Sequence, residues 1–233
     1  MTIPPYRVEP VSSDLIDDSM HPDIAASFAI HDTAAARSEV GLAEMPTIVA
    51  TGPFDDLSDG EQLADAFTLV RQRYSAQLVL LGTGRQRTAV VRRTFSRGVG
   101  SDVHLIRAMS TGLWSEIVAA ADIVVPGTTS QPAHLLDVLA AGRPVVAPVN
   151  PATVKLVLPT SAGLVYRPGD VDALAAALLR LLASPTLRYG MGCRAAEVGR
   201  RDPLIMRLQH PEMAGGYARR HPAAVNVGRP DVV

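Results

Sequence analysis

The chain of 233 residues is 47% hydrophobic, 19% charged and 4% aromatic, which is enough for one substantial core with extended ends. No uncharged apolar run approaches the roughly 18 residues of a spanning helix, the first residues lack the apolar stretch of a secretory leader, and the one cysteine, Cys193, excludes an internal disulfide framework and a cysteine-built zinc site. A cytoplasmic protein with no membrane span is expected. The formal net charge of −1 hides a division: residues 1–66 sum to −11 and residues 67–233 to +10. Such a chain can lay its acidic lead on its basic body, or bind an anion with the basic part.

In chain order, residues 1–45 form an acidic arm interrupted by Pro4, Pro5, Pro10 and Pro22. From there short Val-, Ile- and Leu-rich runs alternate with helical periodicity. Strands are expected at Thr47–Thr51, Gln77–Leu81, Val103–Ile106, Asp122–Val125, Pro144–Ala147 and Gly163–Tyr166, each nearly continuous in apolar character, as strands buried on both faces are. The intervening periodicity predicts helices over Glu61–Arg73, Gln86–Arg97, Leu113–Ala121, Ala133–Ala141 and Val171–Ala183, with a last one over Pro185–Val198. Asp170 and Ser184 are placed to cap the last two, and Gly142 to end the one before them. Residues 201–233, rich in Arg and Pro, form a tail, so one domain spans 46–200. Strand–helix alternation of this kind implies an α/β fold, a Rossmann-like doubly wound parallel sheet of about six strands.

In such sheets ligands lodge at the carboxyl ends of the strands. Gly82-Thr83-Gly84-Arg85 follows a strand and opens a helix, so its amides could cradle a phosphate; it lacks the third glycine of a dinucleotide fingerprint, and a tight turn explains it equally well. Gly127-Thr128-Thr129-Ser130-Gln131 offers hydroxyls and amides before another helix, for a diphosphate, a sugar or ordinary capping. Thr51-Gly52-Pro53-Phe54 is followed by Asp55, Asp56 and Asp59, which would repel a diphosphate; as a solvated turn they need no metal, and neither metal nor cofactor is expected. His104 lies within a strand and reads as packing, and His134 is a helix residue near the hydroxyl-rich loop. Arg71, Arg73, Arg85, Arg87, Arg92, Arg93, Arg97 and Arg107 are numerous, but their helical spacing suggests solvated faces. With few aromatics to stack bases, nucleic acid is not an expected partner.

The order of these segments resembles the C-terminal, nucleotide-sugar-binding half of retaining GT-B glycosyltransferases, glycosyltransferase family 4. The likeness runs from about Ala34 to Val198. It is carried by Thr47-Ile48-Val49-Ala50-Thr51-Gly52, Leu78-Val79-Leu80-Leu81-Gly82-Thr83-Gly84, Ala121-Asp122-Ile123-Val124-Val125-Pro126, Asp137-Val138-Leu139-Ala140-Ala141-Gly142-Arg143-Pro144-Val145-Val146-Ala147 and Ala162-Gly163-Leu164-Val165-Tyr166-Arg167-Pro168-Gly169-Asp170. The resemblance implies a donor site at Gly52, Thr83, Gly84, Arg85, Thr128, Thr129, Ser130, Gln131 and Asp137, with Gln131 and Asp137 as the weak catalytic candidates.

The departures from the family pattern fall at its functional positions. Gly52-Pro53 stands where the family has Gly-Arg, and Asp59-Gly60 where it has Lys-Gly, so two cations that face the donor diphosphate are missing. Asp137 replaces the second glutamate of the Glu-x7-Glu motif, Gln131 aligns with the first, and Lys155 stands near the family's acidic residue after the next strand. Gln131 cannot supply the negative charge an oxocarbenium-like centre needs. The resemblance leaves no acceptor domain ahead of the first strand. The expected function is therefore a glycosyltransferase-like nucleotide-sugar-binding domain, a non-catalytic relative or accessory module. The alternatives are the donor-binding subunit of a two-chain retaining glycosyltransferase, with Arg85 or Arg143 substituting for the lost cations, and an unrelated Rossmann-like nucleotide binder. A protein partner or a second copy is expected to cover the vacant domain interface.

Overall fold

The computed structural model describes residues 33–107, 111–128 and 132–201. Its elements in chain order are α1 (Thr33–Glu39), β1 (Thr47–Thr51), α2 (Leu57–Arg71), β2 (Gln77–Leu81), α3 (Arg87–Ser96), β3 (Val103–Ile106), α4 (Thr111–Ala119), β4 (Ile123–Pro126), α5 (Pro132–Ala140), β5 (Val145–Pro148), α6 (Pro151–Leu156), β6 (Gly163–Tyr166), α7 (Val171–Ala183) and α8 (Pro185–Arg201). The six strands form one sheet of order β3-β2-β1-β4-β5-β6. Every pairing is parallel, with Ile48 of β1 facing Leu78 of β2 on one side and Ile123 of β4 on the other. The strand order reverses between β1 and β4, and the crevice above that reversal is where such sheets bind ligands.

Alternation along each strand divides the core in two. Ile48, Ala50, Leu78, Leu80, Ile123 and Val125 point to one face, where Leu63 and Phe67 of α2 and Leu174, Leu178 and Leu181 of α7 cover them. Val49, Val79, Leu81, Val124 and Val145 point to the other, against Ile117 and Val118 of α4, Leu135 and Leu139 of α5 and Ala195 of α8. Burial on both faces is why the strands read as continuous apolar runs. α8 lies so close to α5 that a Cβ at Gly199 would stand 2.3 Å from Ala140 Cα.

Four strands and α7 fall where the sequence places them, and the rest differ in informative ways. β4 and β5 are each shifted one residue later than expected. Asp122 stands just outside β4 because its carboxylate is committed to the β1 edge, accepting the Thr47 amide at 2.8 Å. α2 starts at Leu57, four residues before the expected Glu61: Asp56 caps it, accepting from the Ser58 amide at 2.8 Å. Gly60 is tolerated inside that helix because a Cβ there would sit 2.9 Å from Val90 Cγ2 of α3. The acidic lead was expected to have no regular structure up to residue 45, yet α1 forms there and is held by Arg37, buried at 6% exposure. The capping expectations at Asp170, Ser184 and Gly142 hold: Asp170 accepts from the Ala173 amide, Ser184 Oγ from the Leu187 amide, and Gly142 has φ +68°.

Several arginines expected on solvated faces instead tie elements together. Arg71 of α2 bonds Asp102, at 2.7 and 3.1 Å, and Arg93 of α3 bonds both oxygens of Asp65 on α2, at 2.6 and 2.8 Å. The sheet's long-range neighbours bring the partners together, which helical spacing alone does not reveal.

Candidate active site at the carboxyl edge of the sheet

β1 and β4 end side by side, joined by the Gly127 amide donating to the Thr51 carbonyl at 3.1 Å. Above them three loops meet: Gly52-Pro53-Phe54 after β1, Gly82-Thr83-Gly84-Arg85 after β2, and Gly127-Thr128 after β4. The topology thus brings Gly52, Thr83, Gly84, Arg85 and Thr128 to one edge. Thr129, Ser130 and Gln131 lie outside the described residues. Asp137 is in the second turn of α5, half-buried, and burial raises its pKa while the nearby His134 opposes the shift.

The loop after β2 is locked to the loop after β1 by its backbone. The Phe54 amide donates to the Thr83 carbonyl (2.9 Å), the Gln86 amide to the Phe54 carbonyl (2.8 Å) and the Gly52 amide to the Leu81 carbonyl (2.8 Å). Gly84 has φ +135°, and a Cβ there would lie 2.4 Å from the Phe54 backbone, so this position admits only glycine. The Gly82 amide is taken by the Ile106 carbonyl, and the Arg85 amide by Asp55 Oδ1 at 3.2 Å. The amides of Gly82, Arg85 and Gln86 are therefore taken up within the chain, which accords with the tight-turn explanation of the loop. Two cations border it: Arg85, exposed, and Arg87, whose Nη1 donates to the Gly82 carbonyl at 2.7 Å. The sequence named Arg87 only as part of a basic stretch; its place in the first turn of α3, two residues beyond Arg85, was the available signal.

The three acids after β1 are each engaged within the chain. Asp56 caps α2, its carboxyl held below the usual range by the Ser58 hydroxyl and amide. Asp55 accepts the Arg85 amide. Asp59, in the first turn of α2, accepts the Thr128 hydroxyl across the switch point and faces Tyr166 at the end of β6, whose phenol is pushed up by burial and by that carboxylate. The positive end of α2 would attract an anion; here the chain's own carboxylates occupy it. Gln62, three residues on, links the same helix to the loop after β6 by accepting the Gly169 amide at 3.0 Å. Neither Tyr166 nor Gln62 was foreseen, because their partners are distant in sequence. Among the described residues no three His, Cys, Asp or Glu side chains gather as metal ligands.

Arg143 is not at this edge. It precedes β5 and so stands at the amino edge, roughly 13 Å away along a four-residue strand, buried at 3% exposure. It therefore does not stand beside Arg85 at the carboxyl edge. Lys155 is exposed in α6. Among the described residues no helix is long and apolar enough to cross a membrane.

A model of the family described as "Glycosyl transferases group 1" matches residues 45–184. No curated protein matches the sequence. Among solved structures, sucrose-phosphate synthase of Thermosynechococcus elongatus is similar at 24% identity and a TM-score of 0.64, over 82% of this chain and 49% of that one. The C-terminal domain of a glycosyl transferase group 1 family protein from Francisella tularensis is similar at 15% identity and a TM-score of 0.65, over 72% of this chain and 91% of that one. HepE of Anabaena, in complex with UDP and glucose, is similar at 17% identity and a TM-score of 0.64, over 79% of this chain and 52% of that one. The chain thus spans about half the length of the two-domain proteins it resembles and nearly all of an isolated C-terminal domain.

Proposed function

Since the chain belongs to the glycosyl transferases group 1 family, whose C-terminal domain it corresponds to, we propose that it is a nucleotide-sugar-binding type of domain kept as a binding or accessory module, which does not transfer sugar by itself. The observation that carries this reading is the Asp59–Thr128 hydrogen bond: at the switch point, beside the N-terminus of α2, a carboxylate stands where the family resemblance implies a lysine facing the donor diphosphate. Losing two charge-assisted contacts to a diphosphate costs roughly 1.5–3 kcal/mol each, and a carboxylate in their place adds repulsion.

Family membership removes the alternative of an unrelated nucleotide binder. The donor-subunit reading keeps one support, the cations Arg85 and Arg87 beside the Gly82–Gly84 loop. In either reading a further domain, a protein partner or a second copy covers the face that would border the cleft. The test is a thermal-shift screen of the full chain against UDP, GDP, ADP and their sugar conjugates, with and without magnesium, followed by an assay for donor hydrolysis and transfer. Weak, unselective shifts and no turnover are expected. Turnover by this chain alone overturns the proposal; a selective shift without turnover favours the donor subunit.

A further inference from the structure

β3 ends the sheet, and among the described residues no strand pairs with its outer side. Whereas β1, β2, β4 and β5 are buried throughout, no residue of β3 is. The Gly82 amide donates to the Ile106 carbonyl, so the main chain of Ile106 turns inward to β2. Successive residues of a strand alternate, which turns the amide and carbonyl of Leu105 outward. The Leu105 side chain, in register with Leu80, lies on the sheet face that α2 covers, yet it is 43% exposed. Phe95, in the last turn of α3, is 61% exposed. Its ring lies against the turn leading into β3, since a Cβ at Gly100 would stand 2.4 Å from Phe95 Cγ. An unpaired strand edge beside exposed apolar side chains is a template for another strand.

The charge beside this edge has one sign. Residues 85–97 contain five arginines and no acid. Arg93 and Arg97 turn to Asp65 on α2, and Asp102, just before β3, is held by Arg71. Arg92 of α3 and Arg107, just after β3, are exposed. A second copy docked edge to edge would bring its own arginines against these, because a two-fold contact pairs a surface with itself. An acidic segment meets them favourably, and the chain contains one. Residues 1–32, outside the described residues, hold six acids and one arginine, Arg7. Between Pro10 and Pro22 the stretch 11–21 contains no proline, so each of its residues has an amide to give to a ladder. It carries Leu15 and Ile16 among Asp14, Asp17 and Asp18. The reach suffices. α1 is fixed by Arg37 to Asp122, at the amino end of β4. From β4 to β3 is three strand spacings, about 14 Å, and the chain from His21 to Thr33 can span roughly 40 Å.

We propose that the outer edge of β3 is the docking site of the chain's own acidic segment, residues 11–21. The segment adds to the sheet as a further strand, with its apolar pair beside Leu105 and Phe95 and its aspartates beside Arg92 and Arg107. This contact lays the acidic lead on the basic body, and it stands apart from the functional reading given above.

The test follows amide hydrogen exchange in the full chain at low ionic strength. The Leu105 amide should exchange about tenfold or more slowly in the wild type than in the triple variant Asp14→Lys, Asp17→Lys, Asp18→Lys. The Val79 amide, inside the sheet, should exchange alike in both, which shows the core intact. Adding Arg92→Asp and Arg107→Asp to the triple variant reverses both partners and should restore the slow exchange at Leu105. Equal exchange at Leu105 in wild type and triple variant, or no restoration, overturns the proposal. Slowing that grows with protein concentration also overturns it, in favour of a second copy at the edge.

Discussion

The Thr128 hydroxyl donates to the Asp59 carboxylate, bridging the first turn of α2 and the loop after β4 across 69 residues of sequence. This single bond joins the two loops that flank the strand-order reversal and places negative charge between them. Replacing Asp59 by Lys exchanges that charge for a cation beside the N-terminus of α2. UDP affinity should rise tenfold or more, the equivalent of one charge-assisted hydrogen bond of about 1.5–3 kcal/mol. Calorimetric titration of wild type and Asp59→Lys with UDP checks this. Unchanged affinity would mean that the carboxyl edge no longer forms a nucleotide site at all.

Asp65 and Arg93 hold α2 against α3 through two hydrogen bonds of 2.6 and 2.8 Å. The Arg93 hydrogen bond keeps the Asp65 carboxyl below its ordinary range. A depressed carboxylate pKa contributes stability that is present above the unfolded value of about 3.9 and lost as pH falls through the folded one. Asp65→Asn should therefore cost up to about 1 kcal/mol at pH 7, discounted for partial exposure. The difference from wild type should narrow as the pH falls below about 4 and the folded carboxylate becomes protonated. Urea melts across this pH range give the comparison.

Asp137 behaves with the opposite sign. Burial raises its pKa, so ionisation opposes folding, and its contribution worsens as pH rises from about 4 through the folded value. Asp137→Asn should raise Tm at pH 7 and leave it unaltered near pH 3. A fall in Tm at pH 7 would indicate that the carboxylate has a partner that stabilises its charged form.

Gly84 tests the interlock of the two loops. Its φ of +135° and the 2.4 Å approach to the Phe54 backbone leave no room for a methyl group. Gly84→Ala should destabilise by about 2–4 kcal/mol. Gly98→Ala, at φ +77° with nothing within 4 Å of its Cβ, should cost less, about 1 kcal/mol. Equal losses would show that backbone conformation, and not loop contact, sets the cost.

The strands were legible because a parallel sheet covered on both faces demands unbroken apolar runs, and Thr47–Thr51 and Gln77–Leu81 meet that demand with neighbours close in sequence. Less was legible at the ends of elements. α2 begins at Leu57 because the Asp56 cap outweighs the helix-breaking tendency of Gly60, whose missing side chain makes room for Val90. At the candidate site, the loop residues could be named from their position after strands. Which of them are occupied by the chain itself could not.

The sequence by itself determined the α/β class and the family likeness, since both reside in local pattern and residue type. Tertiary structure alone decided that Asp59 meets Thr128, that Arg143 belongs to the amino edge, and that Arg37, Arg143 and Arg188 gather around Asp122. The physical reason is range. Periodicity and capping act within a few residues, whereas these charges are brought together by strand order, a property of the whole sheet.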